Sequence, residues 1–271
     1  IDGLRGIAIS LVLIFHIWPE YFSFGYVGVD IFFVLSGYLI TQIIYTKLES
    51  NSFSLKEFYR NRIRRIFPAL IVVLVTTLLI AYLFMFPSEL EQLGKHIKSS
   101  AFFYENFRLI GEVGYWDESA TLKPLLHFWS LAIEEQFYIV WPLVILACFR
   151  FRETPKRLFF SCAVIFIISY TYSVITMNSA DGVNYYSPAS RFWELMVGAI
   201  VAVLKFNGIK TSISKFMPLA GLVIIAGSLF FINEKMNFPG YIAVFPVFGA
   251  AIIVAYDGNR ALGNRILSIK P

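Results

Sequence analysis

The stretch IDGLRGIAISLVLIFHIW, Ile1–Trp18, decides the fold class. From Gly6 to Ile17 nearly every residue is apolar, which suits a helix in lipid. Yet Arg5 stands at the start of the run and His16 near its end. An ionisable residue in a spanning segment is costly and marks a site or a structural pair. Eleven residues separate the two, so at about 100° per residue they face the same way. At 1.5 Å per residue they lie roughly 16 Å apart along the helix axis. Two readings stand side by side. Arg5 snorkels and His16 is an interfacial histidine beside Trp18, or His16 is a general base, the work to which imidazole is best suited near neutral pH.

The rest of the chain repeats the apolar pattern. Of its 271 residues 58% are hydrophobic and 15% charged, whereas a soluble domain carries about a quarter charged residues. Eight apolar runs, at about 3–18, 25–46, 66–86, 126–149, 158–177, 188–204, 217–233 and 240–256, approach the roughly 20 residues a spanning helix needs. The expected fold is all-α, a polytopic transmembrane helical bundle forming one domain over 1–271. The net charge of +5 is no nucleic-acid footprint, because the basic residues cluster in short loops. Loops 47–65, 150–157 and 205–216 carry them and share one side if the eight runs all cross. The positive-inside rule makes that side, and the N-terminus, cytoplasmic. The first run lacks a basic n-region and an A-x-A site, so it does not read as a cleaved signal. The absence of an initial Met reads as a fragment. Cys148 and Cys162 sit in or beside apolar runs, and no metal-ligand spacing is present.

The segment 87–125 is the long outer connection. SELE at Ser88–Glu91 reads as a capping box that opens a helix. Its stripe of Leu90, Leu93, Ile97, Ala101 and Tyr104 is amphipathic, which predicts an interfacial or partly re-entrant helix rather than a ninth span.

Four further stretches carry chemistry. In FSLKEFYRNRIRRIFP (53–68), Ser54 and Glu57 form a capping box and Phe53 with Phe58 a hydrophobic staple. A helix then begins near Leu55 and places Arg60 with Arg64, and Arg62 with Arg65, as surface neighbours. Guanidinium forks suit phosphate, so this helix is either an anchor on anionic lipid or a site for a phosphate-rich cosubstrate. In HFWSLAIEEQFYIVWP (127–142), His127 and Glu134 share a face with Ser130 close to it, and Glu134 and Glu135 cannot both face lipid. One of them pairs structurally, with Arg191 a candidate, or lines a polar cavity. In YYSPASRFWELMVGA (185–199), Ser187 and Pro188 read as N-cap and N1, and Arg191 with Glu194 as a structural pair. In GYVGVDIFFVLSGYLI (25–40), Gly25, Gly28 and Gly37 allow close helix approach. Asp30 needs a partner there, either His16 or an arginine.

Taken together, IDGLRGIAI, the Arg5/His16 pair, GVDIFFVLSGYLI, FYRNRIRRIFPAL, LKPLLHFWSLAIEEQFYIVWPL and SRFWELMVGA resemble the acyltransferase-3 family of bacterial integral-membrane O-acyltransferases. That family modifies cell-surface sugars such as O-antigen and peptidoglycan. The resemblance covers nearly the whole chain. It implies an acyl-CoA donor, usually acetyl-CoA, bound from the cytoplasm as cosubstrate, with no resident cofactor or metal. It further implies an envelope polysaccharide or lipid-linked sugar as acceptor, and residence in the bacterial inner membrane. The family's arginine-x10-histidine pair maps to Arg5 and His16, its R-x-x-R motif to Arg62 and Arg65, and its EEQFY to Glu134–Tyr138. His16, Glu134, Glu135 and Asp30 are then the catalytic candidates, and Arg5, Arg62 and Arg65 the acyl-CoA contacts. Family members carry about ten spans and, in the members most alike, a periplasmic SGNH-type domain. Both the last helices and that domain are expected beyond this chain. Two rival readings are a proton-coupled transporter or flippase of a lipid-linked sugar, disfavoured by the lack of an internal repeat, and a membrane scaffold held by structural ion pairs.

Overall fold

A computed structural model describes residues 1–18, 21–22, 24–112, 123–150, 154–178, 183–211, 214–232 and 236–256. The segment 257–271, Arg152 and parts of several loops named above lie outside the described residues. Eleven helices and no strands occur among the described residues: α1 (Asp2–Ile17), α2 (Val27–Glu49), α3 (Leu55–Phe84), α4 (Pro87–Ala101), α5 (Glu105–Glu112), α6 (Phe128–Phe149), α7 (Thr154–Thr176), α8 (Val183–Tyr186), α9 (Pro188–Phe206), α10 (Met217–Phe231) and α11 (Val244–Ala255). The fold is an all-α bundle of membrane type.

Eight of these helices fall on the eight apolar runs. Four of them, α2, α3, α6 and α7, are long and apolar enough to cross a membrane unaided. Helices α10 and α11 are shorter, with 15 and 12 residues. The two most interior helices, α2 and α9, are buried along most of their length. By contrast α3 turns Val72, Leu79, Tyr82, Leu83 and Phe84 outward. A long apolar helix that exposes such a face is built for a lipid surround.

Small residues set the centre of the bundle. A Cβ added at Gly37 would stand 1.8 Å from the Leu195 carbonyl oxygen, and one at Gly198 1.9 Å from that of Val34. Only glycine admits this approach of α2 to α9. Gly25 and Gly28 do the same for α1, where added Cβ atoms would meet the Leu11 and Ala8 carbonyl oxygens at 2.3 and 2.5 Å. The three glycines read from sequence as packing residues thus serve two different partners. Around them, one core joins Phe33, Ile40, Ile44, Trp129, Phe137 and Trp141 to Leu195. A second joins Leu4 and Ala8 to Leu35, Trp193, Val197 and Val247.

Local signals hold with three adjustments. Helix α3 starts at Leu55, with Ser54 Oγ accepting from the Glu57 N–H at 3.4 Å, and the Phe53 and Phe58 rings meet at 6.1 Å. It then runs unbroken for 30 residues through Pro68, so the arginine helix and the third apolar run are one element. At α4 the cap lies two residues before the position read from sequence. The N-cap is Phe86, whose N–H donates to Glu89 at 2.8 Å, and Pro87 rather than Ser88 opens the helix. Pro87 has no N–H to satisfy, which favours it at that position. Ser187 is the N-cap of α9, but its hydroxyl makes no capping bond.

The segment read as one interfacial helix is two, α4 and α5. The chain breaks between them at Phe103, which has a φ of 56°. The break folds α5 back and lets polar residues on both helices meet. His96 Nδ1 bonds Glu105 at 2.6 Å, and its Nε2 lies 3.3 Å from Glu112. Ser99 donates to Glu105, Arg108 to Glu112, and Lys123 Nζ to Glu112 at 3.0 Å. Glu105 is fully buried, and the surrounding donors offset the cost of removing its charge from water. The hairpin is tied to α6 by Gln136, which donates to the Phe103 carbonyl and to Asn106, each at 2.9 Å.

Candidate active site

Helix α6 supplies one wall of a cavity of about 390 Å³. Glu134 and Tyr138 are four residues apart and so share a face of α6. Arg5 of α1, Ser36 of α2, and Arg62 and Arg65 of α3 complete its polar lining, with Leu35, Leu39 and Ile43 as apolar wall. The first three helices and α6 therefore place three guanidiniums and one carboxylate around a single space. Arg60 and Arg64 stay on the exposed face of α3. The three-residue spacing of Arg62 and Arg65 turns those two together toward the cavity.

The cavity is ordered by its own hydrogen bonds. Tyr138 Oη lies 2.8 Å from Glu134 Oε2 and 3.0 Å from Ser36 Oγ. The phenol donates to the carboxylate, which accepts only, and its oxygen accepts a hydrogen bond from the serine hydroxyl. The Arg62 guanidinium lies over the Tyr138 ring at 4.9 Å and over Phe58 at 5.6 Å. These faces hold the charge by cation–π attraction while leaving its N–H groups free to point into the cavity. Arg5, partly exposed, makes only a loose contact with Asp2 at 3.4 Å.

The two adjacent glutamates are separated by the turn of the helix. Glu134 faces the cavity. Glu135 is buried outside its lining, and its Oε1 has no partner. Asp30 is elsewhere again. Its Oδ1 accepts from Arg191 Nη1 at 2.8 Å, and the same nitrogen reaches Glu194 at 3.0 Å. Of the two partners open to Asp30 in the sequence, the arginine takes it, and His16 does not.

His16 lies at the far end of α1 from Arg5. Its Nδ1 is 2.6 Å from the Val12 carbonyl oxygen, and its ring meets that of His127 with centroids 4.1 Å apart and planes at 79°. Among the described residues no carboxylate bonds to it. Glu134, Glu135 and Asp30, each a candidate to orient the imidazole, are therefore not its partners in this state, and a backbone carbonyl holds the ring instead. No group of three or more His, Cys, Asp or Glu suited to a metal occurs among the described residues, and Cys148 and Cys162 are buried free thiols.

The model for an acyltransferase domain matches residues 1–268. The chain belongs to the acyltransferase-3 family. This acyltransferase domain is 38% identical over 236 residues to an uncharacterized protein of Haemophilus influenzae, covering 83% of the chain and 96% of that protein. It is 33% identical over 285 residues to the peptidoglycan O-acetyltransferase OatA of Listeria monocytogenes, covering all of the chain and 46% of that protein. With the O-acetyltransferase OatA of Staphylococcus aureus the identity is 29% over 288 residues, covering all of the chain and 47% of that protein. The acyltransferase domain thus spans about half the length of either OatA. No solved structure matches it significantly.

Sequence reasoning singled out Arg5, Arg62, Arg65 and Glu134, and the fold brings all four to one cavity. It left Tyr138 and Ser36 without a role. Tyr138 was within reach, because it stands one helical turn past Glu134. Ser36 gains its place only when α2 meets α6. The His96–Glu105–Glu112 network was not legible, because it depends on the break at Phe103.

Proposed function

We propose that this domain transfers an acetyl group from acetyl-CoA to a hydroxyl of an envelope carbohydrate, with peptidoglycan as the acceptor class. The observation that carries the reading is the arginine-lined cavity beside Glu134. A site with three guanidiniums at one end of a membrane bundle suits a polyanionic donor, whose phosphates take charge-assisted hydrogen bonds. The two OatA proteins, one named a peptidoglycan O-acetyltransferase, support the acetyl group and the acceptor.

In this reading the N-terminus of α1 and the arginine cavity lie on the cytoplasmic side of the bacterial inner membrane. CoA binds at Arg5, Arg62 and Arg65, and its pantetheine arm reaches along the bundle toward His16. The Val12 carbonyl can only accept, so Nδ1 of His16 carries the hydrogen and Nε2 carries the lone pair. His16 Nε2 takes the proton of the acceptor hydroxyl as its oxygen attacks the thioester carbon. The C–O bond forms, the C–S bond breaks, and the proton passes to the departing thiolate. Tyr138 and Ser36 hold Glu134 in place beside the arginines.

The test is acetyl transfer from labelled acetyl-CoA to purified peptidoglycan by membranes containing the intact protein. Loss of two charge-assisted contacts, each worth about 1.5–3 kcal/mol, predicts that Arg62→Ala with Arg65→Ala weakens acetyl-CoA binding by at least about 100-fold. Unchanged donor affinity in the double variant would refute the donor site.

A further inference from the structure

We propose that His127 is a second catalytic residue, which donates a hydrogen bond to the carbonyl oxygen of the acyl group while His16 acts as base. This inference rests on the transfer reading above and adds to it the group that holds the developing oxyanion.

The two histidines are about 111 residues apart in the chain. His16 is in the last turn of α1 and His127 is the N-cap residue of α6. Their rings meet edge to face at 4.1 Å, and no hydrogen bond joins their nitrogens. Neither ring therefore spends a nitrogen on the other. Both side chains are exposed. His16 offers a lone pair at Nε2, because Nδ1 is committed to the Val12 carbonyl. Among the described residues nothing bonds to the His127 ring, and an imidazole carries at least one N–H in either protonation state. One ring thus presents an acceptor and the other a donor at one place. Acyl transfer to a hydroxyl needs that combination, a base for the nucleophile and a donor for the carbonyl oxygen.

The register of the two helices supports the assignment. Arg5 lies roughly 16 Å from His16 along α1 at 1.5 Å per residue, and Tyr138 is as many residues from His127 along α6. The arginine cavity therefore joins Arg5 to Tyr138 at one end of a seam, while the ring contact joins His16 to His127 at the other. Helices α1 and α6 are both packed on α2 and make little direct packing with each other, which leaves the seam between them for an extended donor. His127 is also held from behind. Lys123, four residues earlier, is anchored on Glu112 at 3.0 Å, and Leu125 is buried against α3 and α4.

In the step, the acceptor oxygen bonds to the acyl carbon and the C–S bond breaks. The hydroxyl proton goes to His16 Nε2 and from there to the thiolate. His127 gives up no proton; its N–H shortens onto the oxygen as negative charge gathers there and relaxes as the carbonyl reforms.

The experiment measures acetyl transfer from labelled acetyl-CoA to peptidoglycan by the intact protein in membranes, for His127→Ala, His127→Gln and His16→Ala. Removal of one such donor lowers turnover by about 10²–10³-fold. His127→Ala should show that loss in kcat with KM for acetyl-CoA and thermal midpoint unchanged. His127→Gln, whose amide N–H can donate, should recover at least about tenfold of it. Turnover of His127→Ala within threefold of the parent overturns the proposal. So does a loss that glutamine does not relieve and that follows a lowered thermal midpoint, which assigns His127 to the framework. Undiminished activity of His16→Ala would instead sink the general base itself. An inactive His16→Ala beside an active His127→Ala would remove only this inference.

Discussion

Asp30 of α2 and Arg191 of α9 form an ion pair at 2.8 Å with both side chains at most 1% exposed. The guanidinium also meets Glu194, donates through Nε to the Tyr185 carbonyl at 3.1 Å, and lies over the rings of Trp129, Tyr185 and Phe238. One cation here serves two carboxylates, and Asp30 Oδ2 and Glu194 Oε2 have no partner. Arg191→Met would strand both acids, and breaking a buried pair costs about 3–5 kcal/mol. Thermal unfolding in detergent should show that loss for Arg191→Met. Asp30→Asn should cost less than half as much, because it removes one of the two competing charges. The folded fraction of Asp30→Asn should retain transfer activity within about threefold, since a structural pair stabilises the fold rather than the transition state.

The α2–α9 contact yields a second expectation. Alanine at Gly37 or Gly198 drives a methyl group into backbone carbonyl oxygens, which cannot rotate away as a side chain can. Overpacking of this kind costs about 1–3 kcal/mol, and backbone contact puts both substitutions at the upper end. Gly6→Ala, where an added Cβ meets nothing within 4 Å, is the matched control and should not lower the thermal midpoint, since alanine favours the helix.

Within the cavity, Tyr138→Phe keeps the ring under Arg62 and deletes only the hydroxyl. Glu134 then loses the phenol as a donor, and a hydrogen bond to a charged group is worth about 1.5–3 kcal/mol. Donor affinity should fall less than in Arg62→Ala, because the guanidinium stays. Titration calorimetry with acetyl-CoA on both variants orders them, and a Tyr138→Phe defect as large as that of Arg62→Ala would contradict the proposed division of labour.

The α4–α5 hairpin should be acid-sensitive. Burial pushes the Glu112 carboxyl up, but Lys123, His96 and Arg108 outweigh it and hold the carboxyl below its ordinary value. A carboxyl depressed in the folded state stabilises it above the unfolded value, near pH 4.3, and that contribution is lost as pH falls through the folded value. Hydrogen exchange of α5 amides should therefore accelerate as pH is lowered below the usual glutamate range, after correction for intrinsic rates. Glu112→Gln should remove this part of the pH dependence.

The class of the molecule is legible in the chain alone. Apolar runs of spanning length, basic loops and the spacing of Arg5 and His16 on one face need only chain-local geometry. The same holds for the α3 start at Ser54 and the shared face of Arg62 and Arg65. Family membership was legible as well, through six ordered motifs. Which buried charges meet depends on the assembled bundle. Asp30 pairs with a residue 161 positions away. Glu134 and Glu135, neighbours in sequence, part because about 100° of helix rotation separates them. His16 takes a backbone carbonyl and a second histidine rather than a carboxylate. A pattern along one helix fixes the direction a side chain faces, but the partner it finds depends on how closely the helices approach. In this bundle that is set by glycines on α2 and α9 and by the break at Phe103.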